Sequence, residues 1–396
     1  MPGILEGIRV LDFGRYLAGP YCAAMLAEFG ADVIRIEKRS GGEDRYLGPM
    51  APGDAGAIFL QSNRNKRGMT LDPMLPGAES VMRRMIATAD VVIANLPQQS
   101  LEAMKLDFES LKAIKPDIIL TTASAYGNGG PYSDRVGFDS VAQVMSGAAY
   151  MTSAGEGETP YRAQVPWVDY ATAQNCAFGT LLAIMTRNKT GEPQLVEGAL
   201  LATALTVANG LLIEQAVLGT NRAPTGNRGQ MNSPNDIFRT SDGWIFAQAA
   251  GNPLFARWAR LMGEEHWLSD PRFADDQARG DSGAIISERM GRWCAERTSA
   301  EALATLAEAR IPASPVLKPQ QTLDDAHVQA MDFFGTTDYP GLPKPAPLAR
   351  VPIKLSGSPG TITHRAPLLG EHTDAILGEL GFGTDEIAAL RAQGIV

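Results

Sequence analysis

Ile8-Arg9-Val10-Leu11-Asp12-Phe13, an apolar run over 19–29, and Asp32-Val33-Ile34-Arg35-Ile36-Glu37 follow one another almost without a break. The two outer runs are short, aliphatic and rich in β-branched residues, which reads as strand. The stretch between them is long enough for about three turns of helix. The pattern continues outward, with strands expected at Val91–Ala94 and Asp117–Ala123 and helices over 78–88, 100–114, 138–149, 170–187 and 199–218. Strand–helix alternation of this kind implies a parallel, doubly wound α/β sheet. Such a sheet binds ligands beyond the carboxyl ends of its strands.

The composition shifts to Asn, Arg, Thr, Gly and Pro between Gly219 and Pro234, which reads as a linker. Beyond it a strand is expected at Gly243–Ala247 and helices over 253–262, 282–296 and 299–309, before Pro312 and Pro315. This predicts a large domain over 1–220 and a smaller α/β domain over 225–325. The remaining 326–396 crosses a Pro/Gly-rich stretch, Pro340 to Pro367, and ends in a helix near Thr384–Ala392. No internal repeat or low-complexity tail is present.

A net charge of −9 argues against a nucleic-acid binder, which needs a basic face. The three cysteines are odd in number and far apart, so they suggest a reducing cytoplasm and neither a disulfide framework nor a zinc site. The four histidines have no metal-ligand spacing, and no metal is expected. The N-terminus shows no charged-then-apolar signal. The apolar stretch Gly198 to Leu212 is interrupted by Thr and Asn and reads as too short to span a bilayer. A soluble protein without a membrane partner is expected.

One carboxylate stands out. In Val165-Pro166-Trp167-Val168-Asp169-Tyr170 an extended run turns into a long helix closing at Arg187-Asn188-Lys189-Thr190-Gly191. Asp169 therefore falls among unpaired N–H groups at the positive end of the helix dipole. Asp is a preferred N-cap, so a purely structural role and a chemical one both stand at this point.

The ordered set of motifs resembles the family III CoA-transferases. It comprises Gly7–Phe13, Ala18-Gly19-Pro20, Gly30–Glu37, Asn63-Arg64-Asn65-Lys66-Arg67, Ala89–Asn95, Gly129-Gly130-Pro131-Tyr132, Gly137-Phe138-Asp139, Asp169 and Leu369–Asp374. The resemblance spans nearly the whole chain. It implies that N- and C-terminal parts together build one Rossmann-like domain, and that two copies form an interlocked homodimer. It also implies that Asp169 is a covalent nucleophile acting on an acyl-CoA and a small carboxylic acid. Coenzyme A is then substrate and product, with no cofactor bound permanently.

The same resemblance places Lys38, Arg39, Asn95 and the cluster Arg64, Lys66 and Arg67 at the CoA, and Tyr16, Leu17 and Ala18 near the thioester. Asp139 is expected to orient the region around Asp169. The chemistry is compatible with a chain poor in histidine. An aspartate of ordinary pKa is ionised at pH 7, and a thiolate leaves without strong acid help. Backbone donors at the start of the Asp169 helix are candidate oxyanion stabilisers.

Departures from the family pattern exist. Ala249-Ala250-Gly251-Asn252 carries one glycine where relatives have a glycine-rich lid, and Leu96-Pro97-Gln98-Gln99-Ser100 lacks an Arg-Pro-Gly. Ala103 stands where an arginine is common. In the related racemases a histidine precedes the Gly-x-Asp aspartate; Phe138 stands here and carries no proton. Gly14 to Pro20 lacks the Gly-x-Gly-x-x-Gly of a dinucleotide site. Intramolecular CoA transfer remains an alternative with the same Asp169 chemistry.

Overall fold

Six strands form one parallel sheet: β1 (Arg9–Asp12), β2 (Asp32–Glu37), β3 (Arg67–Thr70), β4 (Val91–Ala94), β5 (Ile119–Ser124) and β6 (Gln194–Ala199). Their order in a computed structural model, which describes residues 3–48, 50 and 56–396, is β3-β2-β1-β4-β5-β6. The strands follow the Rossmann order, in which the winding reverses between β1 and β4. Residues just after β1 and just after β4 therefore meet at the crevice.

Side-chain alternation explains why both faces of the sheet are covered. Val10, Val33, Val91, Ile93 and Ile119 point into a core shared with the helices Ala18–Glu28 and Trp167–Thr190. Leu11, Ile34, Val92, Ala94 and Leu120 point into the opposite core, with the helices Ala78–Thr88 and Phe108–Ile114. Strands buried on both faces read as continuous apolar runs. The C-terminal segment completes this second core with Ile376, Leu377, Phe382, Leu390 and Ile395.

The chain divides into two units, one of residues 1–146, 163–212 and 331–396 and the other of 147–162 and 213–330. The expected boundaries at 220, 225 and 325 fall 8, 12 and 5 residues from the divisions at 212, 213 and 330. The segment 147–162, expected in the large domain, groups with the second unit. Within the first unit, β10 (Phe334–Thr337) and β11 (Ala346–Ala349) pair antiparallel.

The second unit contains an antiparallel sheet in the order β7-β8-β9 (Asn235–Arg239, Trp244–Gln248 and Ala313–Pro315). Its core gathers Phe255, Trp258, Trp267, Phe273, Ile286 and Met290. Trp267 stacks on Phe273 at 4.5 Å. The helix Ser299–Glu308 starts with a capping box, in which Thr298 and Glu301 satisfy each other's backbone N–H groups.

Two sequence expectations change. The stretch read as too short to span a bilayer belongs to the helix expected over 199–218: Leu200–Leu218 holds an 18-residue window of mean hydropathy 1.5, enough by length and composition to cross a membrane, and 22% of that window is buried within the chain. The run Asn63–Arg67 is not an exposed basic loop. It leads into β3, and Arg64 and Lys66 lie inside the protein. Arg64 pairs with Glu28, and the Lys66 ammonium donates to Asp12 Oδ2 at 2.7 Å, the Pro20 carbonyl at 2.7 Å and Asn63 Oδ1 at 2.9 Å. Burying a lysine at 3% exposure demands such partners, and even so desolvation pulls its pKa down to about 8.

Candidate active site

The helix Trp167–Thr190 begins two residues before Asp169, so Asp169 lies within its first turn and is not its cap. Asp139 supplies the cap from 30 residues upstream: its Oδ2 accepts the N–H of Val168 at 2.8 Å and of Asp169 at 3.1 Å. The N–H of Trp167 reaches the Val165 carbonyl at 2.9 Å, and that of Tyr170 reaches the Pro166 carbonyl at 3.2 Å. Every N–H group of the helix's first turn is thereby occupied, and the capping Pro166 has none to offer. The expectation that they stabilise an oxyanion is corrected, because Asp139 has taken the two nearest the carboxylate. Asp139 is itself held by Gln143, whose Nε2 donates to Asp139 Oδ1 and whose Oε1 accepts the Ala163 N–H at 2.9 Å.

The Asp169 carboxylate receives no hydrogen bond among the described residues. Burial first, and the Asp139 charge second, push its pKa up to about 7. This corrects the premise of an aspartate already ionised at neutral pH. Two carboxylates beside one helix end separate in role: Asp139 is satisfied by hydrogen bonds, while Asp169 is left without them.

Across the crevice, the turn after β1 is held at several points. Gly14 N–H donates to Asp12 Oδ1 at 2.8 Å, and Arg35 donates to the Gly14 carbonyl. Asn95, the first residue after β4, grips Arg15 from both sides. Its Oδ1 accepts the Arg15 N–H at 2.6 Å, and its Nδ2 donates to the Arg15 carbonyl at 2.8 Å. Tyr16 follows at φ +60°, a left-handed conformation that non-glycine residues adopt only when their surroundings hold them there. Its ring meets the edge of Phe138 at 5.3 Å. Gly19 is required beside this clamp, since a Cβ there would lie 2.7 Å from Asn95 Oδ1. The first-turn N–H groups of Ala18 and Gly19 find no acceptor among the described residues.

Asp169, Arg15, Tyr16, Ala18, Asn95 and Phe138 line one cavity of about 740 Å³. Four of the expected residues (Asp169, Tyr16, Ala18 and Asn95) are thus brought together. Leu17 is buried beneath them and packs in the core. Lys38 is exposed and bonds Glu43 at 2.6 Å; Glu43 lies 3.7 Å from Arg15 at the cavity rim. Arg39 is exposed and outside the lining.

Arg64 and Lys66 lie outside the lining of this cavity. Arg67 bonds Asp32 and Glu379, and with Lys66 it lines a separate cavity of about 780 Å³. The expected cluster is therefore corrected: it is structural cross-linking, because each cation is already neutralised by a neighbouring carboxylate. Arg135, which no spacing rule marked, lines the Asp169 cavity as well.

Comparison with known proteins identifies the family and the fold. Residues 5–373 match the model of CoA-transferase family III. The chain belongs to this family. Among family III CoA-transferases, it is 32% identical to the succinyl-CoA–L-malate CoA-transferase beta subunit of Chloroflexus aurantiacus, over 99% of this chain and 98% of that one. It is 31% identical to the formyl-CoA:oxalate CoA-transferase of a Bradyrhizobium species, over 100% and 97% of the two chains. A crystal structure of a CaiB/BaiF family protein from Brucella suis superposes with a TM-score of 0.83 at 29% identity, covering 96% of this chain and all of that one. The α/β fold with a central parallel sheet and the CoA-transferase class are thus shared with the family III CoA-transferases.

Proposed function

We propose that the chain moves CoA from an acyl-CoA thioester to a carboxylic acid, with Asp169 as the covalent nucleophile. The observation that carries this reading is an Asp169 carboxylate left without hydrogen bonds in a cavity large enough for part of a thioester substrate. A carboxylate that is poorly solvated keeps more of its electron density for attack.

Asp169 Oδ attacks the thioester carbonyl, the C–S bond breaks, and CoA leaves as the thiolate. The mixed anhydride is then attacked by that thiolate at the Asp169 carbonyl, which releases the donor acid and leaves an aspartyl–CoA thioester. The acceptor carboxylate attacks this thioester, expels CoA thiolate and forms a second anhydride. Thiolate attack on the acceptor acyl carbon yields the new acyl-CoA and restores Asp169.

Each step passes through an oxyanion. The unoccupied N–H groups of Ala18 and Gly19, at the positive end of their helix, are the donors suited to it. Phe138 provides no proton carrier opposite Asp169, which speaks against racemisation at an α-carbon. CoA is handled as substrate and product.

A homodimer in the cytoplasm, interlocked as in the family resemblance, belongs to the same reading. Phe178, Leu182 and Met185 form an exposed apolar stripe on one face of the Asp169 helix and support a second copy as its cover. Sedimentation of the protein as a single chain would remove the dimer from the reading.

The test of mechanism is mass spectrometry of the Asp169 peptide after incubation with acyl-CoAs. Wild type is expected to show an acyl or CoA adduct that Asp169→Ala lacks. Unchanged turnover by Asp169→Ala would exclude the nucleophile assignment.

A further inference from the structure

Two cations line the Asp169 cavity, Arg15 and Arg135. Arg15 faces Glu43 at 3.7 Å. Arg135 has no carboxylate partner among the described residues, and none of its guanidinium N–H groups reaches an acceptor there. Its guanidinium lies over the Tyr132 ring at 3.9 Å, and Tyr132 meets the edge of Tyr126 at 5.6 Å. Stacking fixes the plane of the fork while leaving its N–H edge open, which pre-organises it for a planar, two-oxygen anion. An unpaired arginine in a ligand cavity calls for a negative group on the ligand.

We infer that Arg135 binds the distal carboxylate of a dicarboxylic acyl group, making the chain selective for dicarboxylic substrates. The inference rests on the proposed CoA transfer at Asp169. Placement along the chain favours this group over the other anions of the substrate. Arg135 is four residues before Asp139, which holds the backbone of Asp169. Four residues span at most ~14 Å even when fully extended, and a folded loop brings the ends closer. The distal carboxylate of a four- or five-carbon diacid stands a few bonds from the reacting carbon. The CoA diphosphate stands a whole pantetheine arm away. The carboxylate and the phosphates share one chemistry, so the experiment must tell them apart.

Succinyl-CoA and butyryl-CoA differ by a carboxylate in place of a methyl group on the same carbon chain. Steady-state transfer from each donor to acetate is compared for wild type, Arg135→Gln and Arg135→Lys. Wild type is expected to favour succinyl-CoA. Arg135→Gln should lower kcat/KM for succinyl-CoA by about 10–100-fold and leave butyryl-CoA within about twofold, because only the diacid loses a charged partner. Arg135→Lys should recover part of the loss, since it restores charge without the planar fork.

An equal loss with both donors would assign Arg135 to the CoA moiety and overturn the inference. No loss with either donor would do the same. Succinyl-CoA binding to Asp169→Ala, measured by calorimetry with and without Arg135→Gln, reports on Arg135 without turnover. A failed nucleophile assignment is thereby distinguishable from a failed specificity assignment. Arg135 is exposed, and thermal melting of the variants verifies that the fold is retained.

Discussion

Asp139 accepts the backbone N–H of Asp169 at 3.1 Å, so one carboxylate fixes the helix turn that presents the other. The arrangement anchors the Asp169 backbone and also places a negative charge beside its side chain. Asp139→Asn keeps an acceptor of the same shape and removes the charge. The Asp169 pKa should then fall from about 7, yet stay above the ordinary aspartate range because burial is the larger cause. The acid limb of kcat/KM against pH is expected to move to lower pH. Asp139→Ala instead leaves the Val168 and Asp169 N–H groups unpaired and should cost about 1–3 kcal/mol in denaturant unfolding. An unmoved acid limb in Asp139→Asn would show that the two charges do not interact.

The raised Asp169 pKa also makes a stability prediction with a definite sign. The folded protein favours the neutral carboxyl, whereas the unfolded chain ionises near 3.8. Below that value both states are neutral and no penalty exists. The penalty grows as pH rises from 3.8 to about 7 and is complete above it. Asp169→Asn should therefore be inactive but more stable than wild type at pH 8, by up to about 4 kcal/mol. The gap should close as the pH approaches 4. Urea unfolding at a series of pH values gives both the size and the direction.

How far the sequence reveals this site depends on the kind of information involved. β1, β2, β4 and β5 are legible because both of their faces are buried and each carries two or more consecutive aliphatic residues. β3 is not: Arg67-Gly68-Met69-Thr70 contains a single strongly apolar residue beside one charge, a glycine and a threonine, and its pairing with β2 decides it. β6 hides for a similar reason, with Glu197 and Gly198 in a strand that is only half-buried. The position of Asp169 at a helix start is visible in the chain. Its protonation state is not, since that depends on burial and on Asp139, whose distance no local pattern encodes. Basic residues mislead in the same way: Lys66 and Arg135 look alike in sequence, and only the partners of the first separate them.

Asn95 is expected to act through the Arg15–Tyr16 turn and not through direct contact alone. Both ends of its amide are occupied by the Arg15 backbone. Asn95→Ala removes two hydrogen bonds worth about 1 kcal/mol each and releases Tyr16 from its left-handed conformation. Loss of the shaped cavity wall should lower kcat/KM for acyl-CoA about 10-fold or more, with most of the change in kcat. Asn95→Asp retains the acceptor for Arg15 N–H but not the donor, and should fall between the two. A change in KM alone, with kcat intact, would return Asn95 to a plain binding role.

Lys66 and Asp12 form the deepest part of the same support, because their ion pair ties β1 to the Pro20 carbonyl in the first turn of the Ala18–Glu28 helix. Removing one partner of a buried pair leaves the other charge uncompensated, so Lys66→Met should destabilise the fold by about 3–5 kcal/mol. Asp12→Asn/Lys66→Met should lose less than the sum of the single changes, since neither charge is then stranded. Arg35 lies 3.6 Å from Asp12 and moderates the effect of losing Lys66, which makes Asp12→Asn the harsher single change for the remaining cations. A double-mutant cycle by urea unfolding measures the coupling, and KM for acyl-CoA in the Lys66→Met protein measures the competing role. A ligand for a CoA phosphate would raise KM with stability unchanged. Structural cross-linking predicts the reverse, and that is the outcome expected from an ammonium with all three donors already used inside the protein.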